Sequence, residues 1–204
     1  MVGSPAKSPR VVGLMGSPRE AGNTDLLVTA ALEAAAAAGA QTVKFSLGQM
    51  RISPCRACRL APNDSRYCRL PDDMEVIYRA LEEAEAVVVA SPIYYGTVSA
   101  QLKLLIDRCN CLSRMVRCPG GEVSFRRRLR RQKRAACFLV SDLTRDFQPA
   151  LAVIRLFLRE LNAELMAHLC FSDSEARPLA GRPMALEAAR AVGRQLVTSG
   201  GARG

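Results

Sequence analysis

Tryptophan is absent, histidine occurs once (His168), and the remaining aromatics are four Tyr and six Phe in 204 residues. Sheet proteins without helices lean on β-branched and aromatic residues, whereas the apolar residues of this chain are dominated by Ala, Leu and Val. That composition favours a helix-rich α/β protein. One His and no nucleophile motif leave Ser–His and Cys–His hydrolase mechanisms without support. His168, set between apolar neighbours, is expected to be hydrogen-bonded or partly buried. Long apolar runs are lacking too. A membrane span needs about 18 apolar residues, and the richest stretch, Ala30–Ala40, is mostly Ala and carries Glu33. A leader peptide needs an apolar core before a cleavage site, and Met1–Arg10 offers neither. The expectation is a cytoplasmic protein with no membrane partner.

No internal repeat and no Pro-, Gly- or Ser-rich linker divides the chain. Its length fits a single core, which commonly runs to about 200 residues. Residues 10–198 are therefore read as one domain, with tails at 1–9 and 199–204. The net charge of +10 is local: Arg126–Arg134 holds seven Lys/Arg and no acid, and without it 22 basic residues face 19 acidic ones. This segment reads either as a solvated loop or as a patch for an anionic partner. No aromatics interleave within it to stack bases, which weighs against nucleic acid.

Strand and helix patterns alternate along the chain. Val11–Met15, Gln41–Leu47, Ala86–Ala90, Ala135–Val140 and Leu165–Phe171 read as strands. Asp25–Gly39, Asp72–Glu83, Val98–Leu112, Pro149–Leu161 and Pro183–Val197 read as helices, with Asp72 and Glu75 as a capping box. Ile52–Pro71, with three Cys and three Pro, is a loop. Five such alternations predict a doubly wound, flavodoxin-like sheet of five parallel strands with helices on both faces.

Ligands of such sheets sit beyond the carboxyl ends of the strands, so the loop after the first strand matters most. It reads Gly16-Ser17-Pro18-Arg19-Glu20-Ala21-Gly22-Asn23-Thr24 and opens onto a helix. A helix N-terminus offers unpaired N–H groups and partial positive charge to a phosphate. Ser17, Asn23 and Thr24 add side-chain donors, and Arg19 a bidentate one. Neither a Gly-Lys-Ser/Thr ending nor Gly-x-Gly-x-x-Gly is present, which excludes the Walker and Rossmann phosphate loops. A terminal phosphate monoester suits what remains.

This Gly-Ser-Pro-Arg-x-x-Gly-Asn-Thr block resembles the flavodoxin-fold NAD(P)H-dependent FMN reductases and their relatives, the iron–sulfur flavoproteins. Ala90-Ser91-Pro92-Ile93-Tyr94-Tyr95-Gly96 and Lys103-x-x-x-Asp107-Arg108 extend the resemblance over roughly residues 10–110. It implies that Ser17, Arg19, Gly22, Asn23 and Thr24 hold the FMN phosphate, and that Pro92, Ile93, Tyr94, Tyr95 and Gly96 line the flavin ring. Ser141, opening the loop Ser141-Asp142-Leu143-Thr144, is a further candidate contact. The Asp107–Arg108 pair reads as structural. The resemblance also implies a homo-oligomer, dimer or tetramer, with Asn110–Arg134 as a candidate contact.

Eight cysteines in such a chain point away from a secreted disulfide framework. Isolated ones such as Cys137 and Cys170 read as small apolar core groups. Iron–sulfur flavoproteins carry a compact four-cysteine motif after the second strand. Cys55, Cys58 and Cys68 match three of its positions, and the third position falls on Ala61. A [4Fe–4S] cluster ordinarily takes four thiolates. Asp64, or a thiol from the group Cys109, Cys111 and Cys118, could complete a set; three Cys with one other ligand also suit zinc. Cluster, zinc and no metal all remain open at this point. The implied activity is electron transfer from NAD(P)H through FMN to a flavin, quinone or other small acceptor. Two alternatives stand beside it: an iron–sulfur electron carrier paired with a ferredoxin-like protein, and a binding module with a degenerate flavin site.

Overall fold

The computed structural model describes residues 8–58 and 65–198. The tails at 1–7 and 199–204, with Ala61 and Asp64, lie outside the described residues. Strands β1 (Arg10–Met15), β2 (Gln41–Ser46), β3 (Ala86–Tyr94), β7 (Lys133–Val140) and β8 (Ala163–Phe171) form a parallel sheet in the order β2-β1-β3-β7-β8. This is the 2-1-3-4-5 order of flavodoxin-like sheets, whose reversal point lies between β1 and β3. The interior strands read as apolar runs because both faces are covered. On β3, Val87 and Val89 face one core while Ala86, Val88 and Ala90 face the other.

Helices α2 (Met74–Glu83), α3 (Ala100–Arg108) and α4 (Gln148–Glu160) cover the first face through Ile77, Leu81, Leu102, Leu105, Ile154 and Phe157. Helices α1 (Asn23–Ala37) and α5 (Pro183–Thr198) cover the second through Leu27, Ala31, Leu32, Ala189 and Val192. These elements agree with the sequence reading to within a few residues. Two additions do not appear in it. A short strand β4 (Thr97–Val98) folds back on β3, and β5 (Ser113–Arg117) pairs with β6 (Val123–Arg127) as a separate antiparallel hairpin.

Several expectations are corrected. The capping box does not form: the Glu75 carboxylate binds Arg79, and the Asp72 carboxylate takes Arg108 and, at the helix start, only Met74 N. A buried guanidinium offers Asp72 charge-assisted bonds stronger than a neutral cap. Arg126–Arg134 is not a loop, since Arg126 and Arg127 end β6 while Lys133 and Arg134 begin β7. Nor is the segment uniformly solvated. Lys133 is buried, Arg131 pairs with Glu85, and Arg128 lies over the Tyr67 ring at 4.3 Å. His168 is exposed, because β8 is the last strand of the sheet and has a neighbour on one edge only.

Candidate functional site at the carboxyl edge of the sheet

Three loops meet where β1, β3 and β7 end. The first is the predicted phosphate loop, Gly16–Gly22, leading into α1. Gly22 stands at the N-cap and no side chain caps the helix, so the first-turn N–H groups, which no α-helix satisfies internally, face this edge. Ser17 and Thr24 are buried. Ser17 Oγ accepts from Arg19 N at 3.1 Å and closes the turn. Arg19 projects into solvent, with Nη1 donating to Glu175 at 2.9 Å. That hydrogen bond and the Glu175 charge, with a further share from Tyr94, raise its pKa. Asn23 is spent elsewhere: Nδ2 donates to Ser174 O at 2.9 Å and Oδ1 accepts from Leu179 N at 2.8 Å.

The second loop is a tight hairpin turn rather than an open segment, because β3 runs on through Pro92, Ile93 and Tyr94. Tyr95 and Gly96 both have positive φ, 50° and 77°, the pattern of a type I′ turn. Ile93 is buried, Tyr94 is half-exposed, and Tyr95 stands fully in solvent. The third loop follows β7. Ser141 is buried, and its Oγ accepts from Thr144 N at 3.0 Å, so the hydroxyl shapes the turn. Leu143 is 93% exposed at its tip.

Residues outside the predicted set fasten these loops together. Ser99 Oγ donates to Gly16 O at 2.6 Å and accepts from Leu102 N at 3.3 Å, capping α3. Its N–H donates to Ser91 Oγ at 2.9 Å. The phosphate loop is thereby tied to the β3 turn. A hydroxyl just ahead of a helical pattern is the signal that marks Ser99. Gly48, after β2, packs beneath the phosphate loop, where a Cβ would lie 2.7 Å from Pro18 Cα and 3.1 Å from Ser17 O. Ser174 and Glu175 are recruited from beyond β8: Ser174 N donates to Ser141 O and Glu175 N to Asp142 Oδ1.

The donor set fits a phosphate monoester. An uncapped helix start and a guanidinium face it, and the exposed surfaces of Tyr95 and Leu143 suit a flat aromatic ring. Cavities of about 320 Å³ and 560 Å³ border α4, and neither is lined by these loops. A flavin would lie across the open edge.

The cysteine loop does not fit a four-thiolate cluster. Cys55 and Cys58 are exposed, and among the described residues no three His, Cys, Asp or Glu side chains gather closely enough to hold a metal. Cys68 Sγ instead accepts from Arg108 Nη2 at 3.4 Å. Arg108 is fully buried, with Nη1 and Nη2 at 2.5 and 3.1 Å from Asp72 and a further bond to Ser53 O. Burial pushes the Asp72 carboxyl up, but hydrogen bonds from Arg108 and two backbone N–H groups outweigh it and hold the pKa below its usual value. Asp107 pairs with Lys103, so Asp107 and Arg108 do not pair with each other. Cys109 and Cys137 are buried thiols whose pKa burial pushes up. The arrangement is a clamp on the loop between β2 and α2.

Fold and edge together define a flavodoxin-like α/β protein whose first strand ends in a Gly-Ser-Pro-Arg loop opening onto an uncapped helix start. The chain belongs to the NADPH-dependent FMN reductase family, whose profile matches residues 9–178. It is 42% identical over 99 residues to an iron–sulfur flavoprotein of Methanocaldococcus jannaschii, covering 48% of this chain and 51% of that one. The chain thus spans about half the length of the curated relatives it matches. Its structure resembles a flavone reductase (TM-score 0.71, 15% identity, 93% of this chain and 62% of that one). It also resembles an NAD(P)H:quinone oxidoreductase from Methanothermobacter marburgensis (TM-score 0.67, 16% identity, 93% and 99%). At those identities the likeness is one of fold.

Proposed function

We propose that this chain binds FMN across the carboxyl edge of its sheet and uses it to pass electrons from NAD(P)H to a small acceptor such as a flavin or a quinone. The observation that carries this reading is the uncapped start of α1 beside Arg19, at the reversal point of a 2-1-3-4-5 sheet. Bound there, FMN supplies reversible two-electron chemistry, and the protein supplies anchoring, orientation and exclusion of water. Arg19 and the first-turn N–H groups hold the phosphate. The β3–β4 turn offers backbone groups and the Tyr94 and Tyr95 rings to one side of the flavin site, and Leu143 offers an apolar cover. Asn23 and Ser141 support the site by holding its loops rather than by touching the ligand. No general acid or base is required of the protein, and the single His168 lies exposed on β8.

The iron–sulfur flavoproteins among its relatives favour a second reading, an iron–sulfur electron carrier. Its weakness is the thiol set, since Cys68 serves Arg108 and the third position is Ala61. Visible absorption of anaerobically purified protein, before and after NADPH, separates the two. A yellow protein that bleaches supports the flavin reductase. A brown protein unmoved by NADPH supports the carrier. Replacing Arg19 by Ala is expected to weaken FMN about 10- to 100-fold, the worth of one charge-assisted bond. Unchanged FMN affinity in that variant sinks the site.

A further inference from the structure

Glu175 lies 156 residues from Arg19 in sequence, yet its carboxylate takes the guanidinium of the phosphate loop at 2.9 Å. Its backbone is held in place rather than trailing over the surface. On one side Glu175 N donates to Asp142 Oδ1 at 3.0 Å, and Ser174 N donates to Ser141 O at 3.2 Å. On the other, Ser174 O and Leu179 N are both bonded to the Asn23 side chain. Asp173, with φ of 56°, turns the chain at the start of this strap, and its carboxylate binds Arg177 two residues past Glu175. The strap thus spans the phosphate loop and the β7 loop, and it presents one carboxylate to the cation that a phosphate would use.

Resting on the FMN reading above, we infer that Glu175 is a specificity-determining residue: it stands in for the phosphate on Arg19 when the site is empty and weakens binding of phosphorylated flavins relative to unphosphorylated ones. A carboxylate and a phosphate dianion repel when they share one guanidinium, so the phosphate displaces Glu175 on arrival. The side chain can leave, because both partners are largely in solvent (71% and 60% exposed), while the strap itself stays bonded. A ligand without a phosphate need not break the pair. The result is a flavin that exchanges, held by a loop that keeps its shape between occupants. Exposed charge pairs are screened by salt, so the discrimination shrinks as ionic strength rises.

The test titrates this protein with FMN and with riboflavin, following quenching of flavin fluorescence at low salt. Glu175→Gln is expected to tighten FMN about three- to tenfold and to leave riboflavin unchanged. In an Arg19→Gln background the same substitution is expected to have little effect, since the pair it breaks is already gone. An FMN-to-riboflavin ratio that Glu175→Gln does not move, or lowers, overturns the inference and leaves the FMN site standing. Wild-type protein that binds neither flavin overturns both.

Discussion

Lys133 starts β7 with its side chain buried and Nζ donating to Arg131 O at 3.0 Å. Burial, and then the Arg131 charge, push its pKa down to about 8. In the unfolded chain this lysine keeps its proton to about pH 10. Between those two values the unfolded state binds more protons than the folded one, so stability rises with pH there. Below pH 8 both states are protonated and the penalty for the buried charge is present in full. Lys133→Met keeps the apolar stem and removes the charge. It is expected to be more stable than wild type at pH 7, by on the order of 1–3 kcal/mol, with the gap closing between about pH 8 and 10. Urea unfolding at pH 7, 8.5 and 10 measures this, and a gap that stays constant refutes it. In the sequence, Lys133 is one of seven neighbouring cations and looks like surface. Nothing local says that it is the one entering the sheet.

At the scale of elements, the phosphate loop depends on a neighbour that the sequence does not mark. Gly48 sits beneath Pro18 with no room for a side chain. Gly48→Ala must push the loop by several tenths of an ångström, a strain of roughly 1–3 kcal/mol. FMN affinity is expected to fall about tenfold while the fold persists, as fluorescence titration beside a thermal melt will report. Unaltered affinity would show that the flavin phosphate lies elsewhere. The strands and helices themselves were legible because periodicity and apolar runs act within a dozen residues. The β5–β6 hairpin was not: Ser113–Arg117 and Val123–Arg127 hold four Arg between them, and their one alternation, Val123-Ser124-Phe125-Arg126, is only four residues long. Pro92–Tyr94 read as loop because a Pro ordinarily argues against a central strand. Here the residues extend β3 past the end of β1, where β4 turns back on Ile93 and Tyr94.

Across the whole molecule, the sheet order decides which groups can share a site. It brings β1, β3 and β7 side by side and so assembles three loops from residues 16–24, 94–97 and 141–146. It also sets Arg108 against Asp72 and Cys68, which closes the cysteine loop with an ion pair. A four-thiolate cluster would have to take Cys68 away from Arg108 and find a further ligand. Anaerobically purified protein is therefore expected to carry flavin with well under one iron per chain, as colorimetric iron and sulfide assays will show. About four irons and four sulfides per chain would mean that the clamp opens to accept a cluster.

The sequence by itself determined the alternation of strands and helices, the parallel flavodoxin-like sheet and the loop from Gly16 into the first helix, because each is written in neighbouring residues. Tertiary structure alone decided that Asn23 and Ser141 brace loops, that Arg19 meets Glu175, and that Cys68 serves Arg108. Those partners lie up to 156 residues apart, and a side chain's hydrogen bonds go to whatever the folded sheet sets beside it.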